Sequence, residues 1–303
     1  MTKFESFQRL GLATEYLADR LIDGTLVLFL GAGASKGFGL PGWLELANAF
    51  IKKVDPAQPA LPDDSNSDRI EDAIDTALIK INNDDSLKIK YVREILYPDP
   101  SSLISKTAFS QELLIAISAL LIGRKRGHIT RVVTFNYDSM LEWFLNLFGF
   151  QTRTVYSLPS LEGSEDVRIY HPHGYIPHPS VGRIGSDFLI LGSKDANRRA
   201  GNEQDPWWAK ERDLLLTSVG FYIGLSFNTF NDRAFQPHLQ VASDRISKDR
   251  PLGLWVFLED LTDDQVNKCL SYEIVPLRLK SPHEITDLIL NITQRALEKT
   301  LAV

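Results

Sequence analysis

Four short polar segments each follow directly on an apolar run, and their residue types could do chemistry together. After residues 26–30 comes Gly31-Ala32-Gly33-Ala34-Ser35, and after Val132-Val133 comes Thr134-Phe135-Asn136-Tyr137-Asp138. After Ile169-Tyr170 comes His171-Pro172-His173-Gly174, and after Phe221-Tyr222-Ile223 comes Gly224-Leu225-Ser226-Phe227-Asn228. A glycine turn behind an apolar strand suits a diphosphate, which reaches backbone N–H groups only where no Cβ intervenes. The turn lacks the third glycine of a dehydrogenase fingerprint and the Gly-Lys-Ser/Thr of a P-loop, so alone it leaves the ligand open. Asn136 and His173 add a carboxamide that can hold a hydroxyl-bearing ligand and an imidazole that can be a neutral base at cellular pH.

Plainer readings stand beside these. Asn136 could be a helix N-cap, Asp138 a first-turn acid favoured by the helix dipole, and Gly224 with Ser226 a strand-end turn. His171 and His173 are two residues apart and would face the same way on a strand, and His173 is preferred because Gly174 follows it. The pair lacks the further ligands a metal needs, so no metal is expected. His178 reads as exposed loop, Trp207-Trp208 as core or interface packing, and Arg124-Lys125-Arg126 as a solvated turn.

These segments must be positioned by a layered fold. Strand-like runs recur at 26–30, 131–135, 152–156, 168–171, 188–191, 219–225, 252–257 and 273–277, with helical patterns between several of them. The alternation predicts an α/β, Rossmann-like, mainly parallel sheet with helices on both faces, formed as one domain over 1–303. In such sheets ligands sit beyond the carboxyl ends of the strands, where the four segments lie. Residues 63–127 have three helical patterns, at 70–78, 87–96 and 108–122, and read as a helical insertion beside the site, with the acidic run 63–75 as a solvated face. Residues 193–206, rich in charged and amide side chains, read as a mobile flap.

Composition narrows the function class. The chain has 303 residues, a net charge of −6 and a single cysteine. That balance argues against a whole-surface nucleic-acid binder, so direct nucleic-acid binding is not expected. One cysteine excludes an internal disulfide or a cysteine zinc site, and Cys269 reads as buried filler. The amphipathic start, with Phe7, Leu10, Leu17 and Leu21 at helical spacing, is unlike a signal peptide, and the longest apolar run, 113–122, is too short to span a membrane. A cytoplasmic protein with no membrane partner is expected.

In order along residues 26–232, Gly31-Ala32-Gly33-Ala34-Ser35, Gly39-Leu40-Pro41, Thr134-Phe135-Asn136-Tyr137-Asp138, His173-Gly174 and Gly224-Leu225-Ser226 resemble the motifs of the sirtuin-like (silent information regulator type) NAD-binding family. The resemblance implies NAD as substrate, Asn136 and His173 as catalytic residues, and Gly31, Ala32, Gly33, Ala34, Ser35, Asp138, Gly224 and Ser226 as its binding residues. Sirtuin deacylases hold a zinc with four cysteines and carry an aspartate, an aromatic residue and an arginine after Gly-x-Pro. This chain has one cysteine and reads Gly42-Trp43-Leu44. It therefore looks more like the bacterial anti-phage branch, whose domains hydrolyse NAD. That likeness implies an NAD glycohydrolase restrained by assembly, hence a homo-oligomer. With no long C-terminal sensor in the chain, it also implies a separate activator such as an ATPase, helicase or Argonaute-like protein. An NAD-dependent protein deacylase and a non-catalytic NAD or ADP-ribose sensor are the alternatives.

Overall fold

Five consecutive apolar residues form β1, Leu26–Leu30, and all five are buried. A strand without polar alternation is the signature of a central parallel strand covered on both faces. The computed structural model describes residues 5–99, 111–181, 184–202, 204–246 and 250–302. Its strands are β1, β2 (Arg131–Thr134), β3 (Thr152–Val155), β4 (Val167–Tyr170), β5 (Val219–Ile223), β6 (Gly253–Phe257) and β7 (Ile274–Arg278). They form one seven-stranded sheet in the order β3-β4-β2-β1-β5-β6-β7, and every pairing is parallel.

The helices are α1 (Leu10–Ile22), α2 (Trp43–Val54), α3 (Ser67–Lys80), α4 (Asp85–Leu96), α5 (Glu112–Leu121) and α6 (Met140–Leu147), followed by α7 (Ser193–Ala200), α8 (Pro206–Thr217), α9 (Gln236–Arg245), α10 (Asp263–Ser271) and α11 (Pro282–Leu301). Strand alternation sorts them into two layers. Leu26, Leu28 and Leu30 of β1 join a core with residues of α1 to α6 and α11, whereas Val27 and Phe29 join a second core with Leu214, Leu215, Leu239 and Cys269 of α8 to α10. The expected Rossmann-like α/β architecture is present. Among the described residues no helix is long and apolar enough to cross a membrane.

Several expectations need correction. The run 188–191 is not a strand: Leu189, Ile190 and Leu191 are buried, but among the described residues its one backbone bond toward the β4 loop runs from the Ile190 N–H to the His173 carbonyl at 2.9 Å. Residues 193–200 form helix α7 rather than a flap, because Asp75 of α3 accepts from the Ser193 hydroxyl and the Lys194 N–H at its start. The acidic run is only partly solvated: Asp63, Asp64, Asp68 and Asp72 are exposed, but Glu71 and Asp75 are buried. The helices of the 63–127 segment belong to the same core as β1, with Ile74, Val92 and Ile117 fully buried. Part of the third helical pattern, 108–110, lies outside the described residues.

Cys269 is wholly buried, and desolvation pushes its thiol up to about 12. Trp207 is core, beside Tyr170. Arg126, read as part of a solvated turn, instead reaches back to the carbonyls of Ala119 and Ile122 at the end of α5.

The chain runs from β1 to β2 on one side and, after β4, returns to β5 on the other. The crevice beyond β1 and β5 is therefore the topological switch point, the place where open α/β sheets take their ligands.

Candidate functional site

Two loops close on each other at this switch point. The Gly31 N–H donates to the Ile223 carbonyl and the Gly33 N–H to the Gly224 carbonyl, both at 3.0 Å. A Cβ on Gly33 would stand 2.7 Å from Gly224 Cα, and Gly224 itself has a φ of +68°. The sequence suggests glycines cleared for a phosphate, but the atoms a Cβ would strike here belong to the facing loop. The Ala34 and Ser35 N–H groups are also taken, by the carbonyls of Gly31 and Ala32. Ala32 is half-buried and Ser226 exposed at the rim.

Asn136 reaches into this junction from the end of β2. Its Nδ2 donates to the Gly31 carbonyl at 3.0 Å and to Ser35 Oγ at 3.1 Å. It is no N-cap, since α6 starts four residues later behind Ser139. With both amide hydrogens directed into the β1 loop, its Oδ1 is the end available to a ligand. Ser35 in turn donates to Asp138 Oδ1 at 3.1 Å, and that oxygen also accepts the Met140 N–H at 2.9 Å. Asp138 is buried, and desolvation pushes its carboxyl up to about 6 against those two hydrogen bonds. It ties the β2 loop to the β1 loop and thereby sets the Asn136 side chain.

The two histidines part company after β4. A turn closed by the Gly174 N–H on the His171 carbonyl, at 3.1 Å, breaks the strand register, so they do not face the same way. His171 is fully enclosed, with Nε2 2.6 Å from Glu142 Oε1 and Nδ1 3.0 Å from the Asn136 carbonyl. Burial opposes its charge, but the Glu142 carboxylate and the Asn136 carbonyl outweigh burial and hold its pKa above the ordinary histidine value. His173 instead packs its ring 5.0 Å from that of Phe135, with Nε2 3.8 Å from Asp232 Oδ2. Burial, aided by the charge of Arg199 and opposed by Asp232 and Glu211, lowers its pKa. Burial thus favours the neutral imidazole of His173, and its buried Nε2 makes no hydrogen bond among the described residues.

Sequence reading missed Glu142 and assigned no role to His171 or Asp232. Glu142 and His171 fix the Asn136 main chain, and Asp232 faces His173 with one oxygen while the other accepts the N–H groups of Ala234 and Phe235 at 2.8 and 3.1 Å. An aspartate just past a 3₁₀ turn signals such a cap, but nothing local pairs it with a histidine 59 positions earlier. His178, read as exposed loop, is buried: its N–H donates to Ser139 Oγ at 2.9 Å and its ring lies edge-on to Tyr97.

Asn136, Ser35 and Asp138 line a small cavity of about 10 Å³, room for about one water. A cleft of about 610 Å³ is lined by Gly174 and Pro172 of the β4 loop and by Arg199 and Trp207 among others. Among the described residues no group of three or more potential metal ligands is assembled.

Comparison with known proteins adds a family. Residues 130–276 match the model of the SIR2-like domain, a stretch that carries Asn136, His173, Gly224 and Asp232 and is hydrogen-bonded through Asn136 to the β1 loop outside it. No curated protein matches the chain. Residues 130–276, set in a fully parallel α/β sheet, are thus similar to the SIR2-like domain, whose sirtuin-like family uses NAD.

Proposed function

We propose that the protein is an NAD glycohydrolase that releases nicotinamide and ADP-ribose, with Asn136 and His173 as its catalytic residues. The observation that carries this reading is Asn136: three hydrogen-bonded groups pin its amide nitrogen and backbone at the switch point, and its Oδ1 is left for a ligand. Breaking the nicotinamide–ribose bond leaves positive charge on the ribose, and water must then add at the same carbon. Asn136 Oδ1 accepts a hydrogen bond from the attacking water or from a ribose hydroxyl. His173, kept neutral by burial, takes the proton that the water or hydroxyl gives up.

Gly31, Ala32, Gly33, Ala34 and Ser35 with Gly224 form the floor under the dinucleotide. The Ala32 N–H and the Ser226 hydroxyl serve the diphosphate and the adenosine ribose, and Asp138 acts through Ser35. The single cysteine supports hydrolysis over deacylation, since the family's zinc-bearing lobe uses four. The likeness to anti-phage NADases supports reading the protein as the toxic effector of an abortive-infection system, a homo-oligomer released from restraint by a separate sensor.

The test is to incubate the purified chain with NAD, alone, with candidate activators and with an acetyl-lysine peptide. Nicotinamide release without peptide, abolished in Asn136→Ala and in His173→Ala, is the expected result. Release that strictly requires the peptide would make the protein a deacylase, and tight NAD binding without turnover would make it a sensor.

A further inference from the structure

The cleft beside the β4 loop contains a guanidinium with one edge that makes no hydrogen bond among the described residues. Arg199 of α7 is only 7% exposed. Its Nη1 donates to the Pro172 carbonyl, and its Cζ lies 5.1 Å from the centroid of the Trp207 ring. Nε and Nη2 are buried and make no hydrogen bond among the described residues. Asp205 Oδ2 stands 3.8 Å from Nε, and it is held there because Oδ1 of the same carboxylate caps α8 through the Trp207 N–H at 2.9 Å. Pro172, Asp205, Trp207 and Arg199 itself all line the cleft of about 610 Å³.

Nε and Nη2 form the side edge of the guanidinium, whose two parallel N–H bonds match the two oxygens of a carboxylate or phosphate. Burying such donors without acceptors opposes folding, and a site whose ligand supplies the acceptors recovers that loss. The volume suits a small molecule. Of the acids in the same wall, Asp195 is matched by Lys88 at 2.9 Å.

We propose that this cleft is a binding site for a small molecule bearing a carboxylate or phosphate, with the Nε–Nη2 edge of Arg199 as its bidentate anchor. The site is distinct from the Asn136 crevice, because neither Asn136 nor His173 lines the cleft. It still bears on His173: the Arg199 charge disfavours the imidazolium, so an oxyanion that neutralises it makes His173 a stronger base. That consequence rests on the hydrolase reading, whereas the binding site does not.

Isothermal titration of the full chain with inorganic pyrophosphate, and separately with succinate, tests the proposal. At least one is expected to bind, pyrophosphate marking a phosphate ligand and succinate a carboxylate one. Binding should weaken at least tenfold in Arg199→Lys, which keeps the charge without the fork. It should weaken as much in Ser157→Trp, which fills the cleft from an exposed wall position. Binding by neither probe, or binding that survives either substitution, overturns the proposal. Asn136→Ala should keep probe binding while losing nicotinamide release, so this site and the hydrolase reading fail separately.

Discussion

The His171 ring bridges Glu142 and the main chain of Asn136, with Nε2 2.6 Å from the carboxylate and Nδ1 3.0 Å from the carbonyl. Both partners are acceptors, so both ring nitrogens must donate, and the ring sits in the fold as an imidazolium. Its folded pKa is raised, so its contribution to stability is complete below about 6.5, the unfolded value, and is lost as pH rises through the folded value. The melting temperature should therefore fall as pH climbs above neutrality. In Glu142→Gln that fall should flatten, because the neutral amide no longer holds the second proton. Glu142→Ala should cost about 3–5 kcal/mol in urea denaturation at pH 6, since it strands a buried charge.

The contact between the β1 and β5 loops makes a separate prediction. Gly33→Ala places a methyl 2.7 Å from the Gly224 Cα, where backbone must move. The expected loss is about 1–3 kcal/mol by denaturant titration. Gly224→Ala meets the Ala34 nitrogen at 2.8 Å and also forces a side chain into the left-handed region. Because both methyls disturb one junction, the double variant should lose less than the sum of the singles. Additive losses would mean that the loops do not meet as described.

What the sequence made legible was whatever leaves a local trace. The glycine turn, the apolar strands and the polar residues after them can be read because strand, turn and ligand end follow one another within a few positions. Helix α2, Trp43–Val54, is legible in the same way, with Gly42 before its start and Asp55-Pro56 after its end. By contrast α7, read as a flap, is strongly polar and held by Asp75, 118 positions away from Ser193. The divergence of His171 and His173 depends on a single turn bond, from Gly174 to His171, that overrides strand periodicity. Asp232 comes to His173 only through the β5 crossover. A one-dimensional pattern carries none of these long-range pairings.

Glu71 offers a readout through pH. Burial, with Asp232 adding to it and Ser67 and Arg233 opposing, pushes its carboxyl up to about 7. The folded value lies above the unfolded one of 4.5, so the protein loses stability from this group as pH rises from about 4.5 to 7. Glu71→Gln keeps an oxygen for the Ser67 hydroxyl, 3.1 Å away, and removes the buried charge. Its melting temperature should exceed that of the parent by a few degrees at pH 8 and match it near pH 4. Equal curves at both values would show that Glu71 is solvated in the folded state.

Asp232 provides the last prediction, at the candidate base. Its Oδ2 faces His173 Nε2 at 3.8 Å, and its negative charge favours the imidazolium, partly offsetting the lowering by burial. Asp232→Asn retains an oxygen for the Ala234 and Phe235 N–H groups, so the turn it caps should persist. Without the carboxylate the His173 pKa falls further, and the neutral base survives to lower pH. The acidic limb of the kcat/KM profile for nicotinamide release should therefore move to lower pH in Asp232→Asn. A limb that stays fixed, or moves toward neutrality, would mean that the group titrating in catalysis is not His173.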